Sequence, residues 1–190
     1  VVTGFNGVRV SLDGPNAEIN DKIRNPASFD RATANLKTLA EIKRRTGSET
    51  PAVSLYMVIT SLAYNKLDQM VEYAASIGAA AIEASTMIVH SEEARLFQLD
   101  QKQKADLPKH LERAIRRADE LGIQNNFSLF FREEITANPN AMHSSDKALV
   151  RDFFDVPCFL PWLNMVVLYN GSAGPCCMYD CECMDDENNI

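Results

Sequence analysis

The chain has 190 residues, 46% of them hydrophobic and 24% charged, enough apolar material for one full core with a small appendage. Its net charge of −7 argues against nucleic acid as the main partner, because phosphate binding needs a clustered basic surface. Apolar stretches such as 79–81 and 165–169 fall far short of the roughly 20 residues a spanning helix needs, so no membrane partner is expected.

Val8 to Leu12 is a β-branched run closed by Asp13-Gly14-Pro15, the punctuation of a strand's carboxyl end. From Asn25-Pro26, an N-cap followed by proline, Phe29, Ala32, Leu36, Leu39 and Ile42 recur at helical spacing until Gly47. Ala52 to Thr60 then reads as a strand, and Asn65 as the cap of a second helix that runs through Leu67, Met70, Val71, Ala74 and Ile77 to Gly78. Ala80 to Met87 predicts a third strand, Gln103 to Leu121 a third helix stopped at Gly122, and Ile123 to Phe131 a fourth strand. Strands and helices alternating in this way predict an α/β fold with right-handed crossovers onto a parallel sheet, too few strands to close a barrel alone. Past Glu134 the period fades; Asp146 to Phe154 is compatible with a short helix, and Leu163 to Tyr169 followed by Asn170-Gly171 predicts a hairpin. The expected division is an α/β body over 1–150 and a small cysteine-rich part over 151–190.

All five cysteines, Cys158, Cys176, Cys177, Cys181 and Cys183, lie in that second part. Thiolates gathered in an otherwise cysteine-free chain point to metal rather than to a disulfide framework, which belongs to small secreted domains. With no basic, signal-like opening, a reducing cytoplasm is the expected compartment. Sulfur ligands suit an iron–sulfur cluster or zinc, and spacing alone does not choose. In the body, open α/β sheets and barrels bind ligands at the carboxyl ends of their strands, which places Ser11 and Asp13 where a small molecule would bind. Glu83 stands inside an apolar run and is therefore expected to be exposed, paired or functional. His110 is expected on the solvent face of its helix; His90 and His143 sit in loops without ligand-spaced partners, and Trp162 with Phe153-Phe154 reads as packing between hairpin and body.

Val10-Ser-Leu-Asp-Gly-Pro15, followed by Ile19 to Arg24, Ser28-Phe29 and Asn35, resembles the fourth strand and following helix of radical S-adenosylmethionine enzymes. Val58-Ile59-Thr60 with Asn65 and Leu67 to Gly78 resembles their fifth strand and helix. The segment from Cys158 through Pro161-Trp162 and Asn170-Gly171 to Cys176 resembles the opening of a SPASM or twitch domain. Together the likeness covers about residues 7 to 180. It implies the carboxyl-terminal part of a partial TIM-like (β/α)6 barrel plus a SPASM-type hairpin domain. It further implies that Ser11 and Arg24 hold the amino-acid end of S-adenosylmethionine, with Asp13 beside them and the end of the third strand, Glu83 to Thr86, near the adenosine or the substrate. Cys158 and Cys176 would bind an auxiliary [4Fe–4S] cluster, with Cys177, Cys181 and Cys183 as further candidates.

The activity so implied is reductive cleavage of the cofactor to a 5′-deoxyadenosyl radical that abstracts hydrogen from a peptide or small-molecule substrate. An electron donor such as ferredoxin or flavodoxin would serve it. The family's Cys-x3-Cys-x2-Cys is not among these residues, so the chain is expected to be a piece of a longer enzyme, inactive alone. No catalytic residue is assigned. Two alternatives are a non-radical α/β-barrel enzyme, an aldolase or isomerase with a zinc-stabilised tail, and a peptide-recognition module with a structural zinc site.

Overall fold

The computed structural model describes residues 4–24, 28–87, 89, 92–131, 165–167 and 173–174. By its contacts the chain divides into two compact units, Val1–Met142 and His143–Ile190. Four parallel strands form the sheet of the first: β1 (Gly7–Ser11), β2 (Ala52–Val58), β3 (Ala81–Ser85) and β4 (Gln124–Asn125), in the order β1-β2-β3-β4. Strand order follows chain order without reversal. Crossovers of one hand that always advance in one direction set their helices on one face, which is consistent with a segment of a barrel and unlike a doubly wound sheet.

Burial along the strands agrees. Val53, Leu55 and Met57 are buried and alternate with half-exposed Ser54, Tyr56 and Val58; Ile82 and Ala84 alternate with Ala81, Glu83 and Ser85. The apolar face joins one core with Leu67, Met70, Val71 and Ala74 of α3 (Leu67–Ser76) and Leu107, Leu111, Ala114 and Ala118 of α5 (Gln101–Leu121). Phe29 and Leu36 of α2 (Ser28–Thr46) belong to the same core. The other face is polar. Register carries Ser11, Tyr56 and Glu83 across three strands in one row, with Arg9 one step below.

Two helices have no counterpart in the sequence reading: α1 (Ala17–Ile23) and α4 (Glu92–Arg95). The Asn16 side chain caps α1 by accepting from Ile19 N–H at 3.0 Å, a signal hidden because Asn16 follows Asp13-Gly14-Pro15 and reads as part of a turn. Asn25 and Pro26, expected to start α2, lie outside the described residues; Asp21 Oδ1 accepts from Phe29 N–H at 3.0 Å in its first turn. Asn65 does not cap α3 with its side chain. It sits inside a 3-10 turn, Tyr64–Lys66, and its carbonyl accepts from Arg113.

The expected strand Ile123–Phe131 is mostly something else. After β4, the run Phe127–Phe131 is 3-10 helix, with Phe127 and Phe130 buried. The physical reason is Asn126, whose amide accepts from Ala84 N–H at 2.8 Å and donates to Ala84 carbonyl at 2.9 Å. A side chain thus takes the place of a ladder rung, and the backbone is free to turn. The α5 start is built by a capping box: Asp100 accepts from Gln103 N–H and Gln103 Oε1 accepts from Asp100 N–H. Its end is the expected glycine, Gly122, at φ 66°.

His110 is not on the solvent face. It is buried, bonded through Nε2 to Asp106 at 2.8 Å, and set edge-on to Tyr64. Tyr64 arrives from a turn distant in sequence, so helical spacing alone could not reveal it. Among the described residues no helix is long and apolar enough to cross a membrane. In the second unit, β5 (Val166–Val167) and β6 (Ala173–Gly174) pair antiparallel, with residues 168 to 172 between them. The remaining expectations for that part, including Trp162 and Phe153-Phe154, lie outside the described residues.

Candidate functional site

At the carboxyl end of β1 the chain turns through Asp13-Gly14-Pro15 into α1. Gly14 is required there: a Cβ would stand 2.6 Å from Ile19 Cγ2 and 2.8 Å from the Asn20 backbone nitrogen. This close approach lets Asn20 Oδ1 accept from Asp13 N–H at 2.9 Å. Asn20 is fully buried; its amide nitrogen donates to Asp21 Oδ1 and Ser28 Oγ, both at 2.9 Å, and Ser28 donates to Asp21 at 3.0 Å. The ends of β1, α1 and α2 are thereby tied by side chains, and the geometry between them is fixed.

Asp13 is 3% exposed. Its Oδ1 accepts from Val58 N–H at 2.8 Å, and its Oδ2 pairs with Arg24 Nε at 2.6 Å. A buried carboxylate is tolerated only when paired and hydrogen-bonded, and both conditions are met. Arg24 is the C-cap of α1, its backbone N–H bonded to Asn20 carbonyl at 2.8 Å. Asp13 engages the guanidinium through Nε, and Arg24 also lines the cleft described next.

A cleft of about 550 Å³ opens beside these residues, lined by Ser11, Leu12, Arg24, Ser28, Arg31, Ala32 and Asn35. The structure therefore brings Ser11 and Arg24 to one cavity, with Asp13 buried behind Arg24 rather than on its wall. Glu83 is elsewhere on the polar face. It pairs with Arg9 at 2.8 Å, and that guanidinium lies 5.6 Å from the Tyr56 ring centroid. Of the three outcomes open to Glu83, it is both paired and about one-third exposed. Ser11 and Glu83 share a register row but stand two strands apart, roughly 10 Å at ordinary strand spacing.

No family model and no curated protein matches this chain. The case for the site rests on its geometry and chemistry. Among the described residues two guanidiniums, two hydroxyls and an amide line the cleft and no carboxylate does, which suits an anionic ligand group. Sequence reasoning missed Arg31, Arg9 and the Asn20–Asp21–Ser28 network. Ser28, Arg31 and Asn35 were recoverable in principle, since their spacing sets them on one face of a helix. Arg9 and Glu83 could be joined only by knowing the strand order.

A second depression of about 560 Å³ involves Tyr64, Asp100, Lys102, Gln103 and Asp106. Asp100 and Gln103 there form the α5 cap and Asp106 bonds His110, so these three lining groups have structural roles. Among the described residues no group of three or more His, Cys, Asp or Glu side chains gathers as a metal site. Cys158, Cys176, Cys177, Cys181 and Cys183 lie outside the described residues.

Proposed function

We propose that this chain is part of a radical S-adenosylmethionine enzyme, with the cofactor's amino-acid end seated in the cleft at the carboxyl end of β1. The observation that carries the reading is the Asp13–Arg24 pair beside Ser11: a guanidinium held by a buried carboxylate, lining a cleft with no acidic side chain among its described residues. Those residues fit the carboxylate they are asked to hold. Arg24 would contact it bidentately, Asp13 would fix the orientation of the guanidinium, and Ser11 would donate its hydroxyl. Asn20 and Asp21 would keep α1 and α2 at the distance the ligand needs.

The polar face adds support. Tyr56 and Glu83 share the Ser11 row, so a ligand extending from the cleft over the sheet would pass Tyr56 first and reach Glu83 with its far end. There the adenosine or a peptide or small-molecule substrate would be oriented. Bound S-adenosylmethionine supplies, on one-electron reduction, the hydrogen-abstracting 5′-deoxyadenosyl group; the protein's share is binding, orientation and exclusion of water. The cysteines from Cys158 to Cys183 would hold an auxiliary [4Fe–4S] cluster in a SPASM-type domain, served by a ferredoxin- or flavodoxin-like donor in a reducing cytoplasm. The cluster that splits the cofactor would need cysteines this chain does not contain, so the 190 residues alone would not turn over.

The test is anaerobic reconstitution with iron and sulfide. A broad charge-transfer absorbance that disappears in Cys158→Ala and Cys176→Ala supports the reading. A protein that takes up only zinc, or keeps the absorbance in both variants, overturns the cluster assignment.

A further inference from the structure

Of the nine arginines among the described residues, Arg9, Arg24, Arg44, Arg95, Arg113 and Arg117 form ion pairs with carboxylates, whereas Arg31, Arg45 and Arg116 form none there, and of these three Arg31 lines the β1 cleft. Its neighbours one helical turn away along α2 are Ser28, Ala34 and Asn35, all uncharged, whereas Arg44 of the same helix has Glu41 at that spacing. Two guanidiniums therefore share a cavity of about 550 Å³, and only one of them is neutralised, from behind, by Asp13. Like charges in one cleft repel until an anion lies between them, and a walled cleft focuses that field on the ligand.

We propose that Arg31, assisted by the amide of Asn35, is a second anion-binding residue of this cleft, which makes it a two-arginine carboxylate site. The inference rests on the reading that Ser11 and Arg24 receive the amino-acid end of the cofactor. Arg24 and Arg31 come from different elements, the end of α1 and the first turn of α2, so a carboxylate gripped by both is fixed in position as well as charge. The specificity consequence is direct. The cleft selects ligands by their carboxylate, and an adenosine thioether lacking that group gains nothing from Arg31.

Equilibrium binding of three probes to the 190-residue chain and to Arg31→Gln tests this: S-adenosylmethionine, free methionine and 5′-methylthioadenosine, which lacks the amino-acid portion. Arg31 is solvent-exposed, so the variant is expected to keep the wild-type melting temperature. Loss of one charge-assisted contact should weaken S-adenosylmethionine and methionine by roughly tenfold and leave 5′-methylthioadenosine unchanged. Arg31→Lys, which keeps the charge without the fork, should recover part of the loss. If S-adenosylmethionine binds the wild type and Arg31→Gln equally, Arg31 is outside the site, and the cofactor reading stands. Methionine binding that depends on Arg31 without any S-adenosylmethionine binding would sink the cofactor reading and keep the carboxylate site. A wild-type chain that binds neither overturns both.

Discussion

Asp13 is the residue whose removal the structure makes most informative. In Asp13→Ala the Val58 N–H, bonded at 2.8 Å, loses its acceptor, and an unsatisfied, partly buried donor costs about 1–3 kcal/mol. Arg24 loses its partner as well, but its side chain is 34% exposed and can turn to water, so that part is discounted to roughly 1 kcal/mol or less. The sum is about 1–4 kcal/mol. Asp13→Asn keeps an acceptor for Val58 and forfeits only the charge, so it should cost about 1 kcal/mol. Urea unfolding followed by circular dichroism reads both variants as shifts in midpoint at constant slope. A double-mutant cycle with Arg24→Gln isolates the pair itself. Equal costs for Asp13→Ala and Asp13→Asn, or a coupling energy of zero, would refute the claim that this carboxylate bridges β2 and Arg24.

Other consequences are as direct. Gly14→Ala places a methyl group against the Asn20 backbone and should destabilise by about 1–3 kcal/mol in the same urea assay, while Gly4→Ala, with nothing near its Cβ, should be limited to the strain of its positive φ. Phe127→Ala removes a fully buried ring and should cost about 3–5 kcal/mol in thermal unfolding. Burial raises the Tyr73 phenol above its ordinary value of 10.0, against a smaller lowering by the Thr33 hydroxyl. The raised value means that this stabilisation is complete below pH 10 and is lost as pH rises through the folded-state value; Tyr73→Phe should flatten the alkaline limb of the stability profile. The Asp106 carboxyl is held below its ordinary value chiefly by the bond from His110, so its contribution is present above the ordinary carboxylate range and falls away in acid. Asp106→Asn should reduce the acid-side slope in a pH series of melting temperatures.

What was legible in the sequence follows from the range of the forces involved. Period and glycine stops located the strands at 52–58 and 81–85 and the long helices, because an amphipathic face is written locally. Asp13-Gly14-Pro15 marked a turn, and Ser11 and Arg24 do reach one cleft. That Asp13 faces inward was not legible, since it depends on Val58, a residue 45 positions away brought near by strand pairing. The same holds for Arg9 with Glu83 and for His110 with Tyr64. Ile123 to Phe131 misled because its apolar residues serve a 3-10 turn, and the amide of Asn126, which mimics a strand, has no signature of its own.

Whether Arg24 holds the cofactor's carboxylate decides the cofactor reading most directly. Equilibrium dialysis of S-adenosylmethionine against the wild-type chain and Arg24→Gln, at a temperature well below both melting transitions, measures it. Saturable binding that Arg24→Gln weakens by roughly tenfold or more is the expected result. Binding that survives in Arg24→Gln, or that the wild-type chain never shows, contradicts the account.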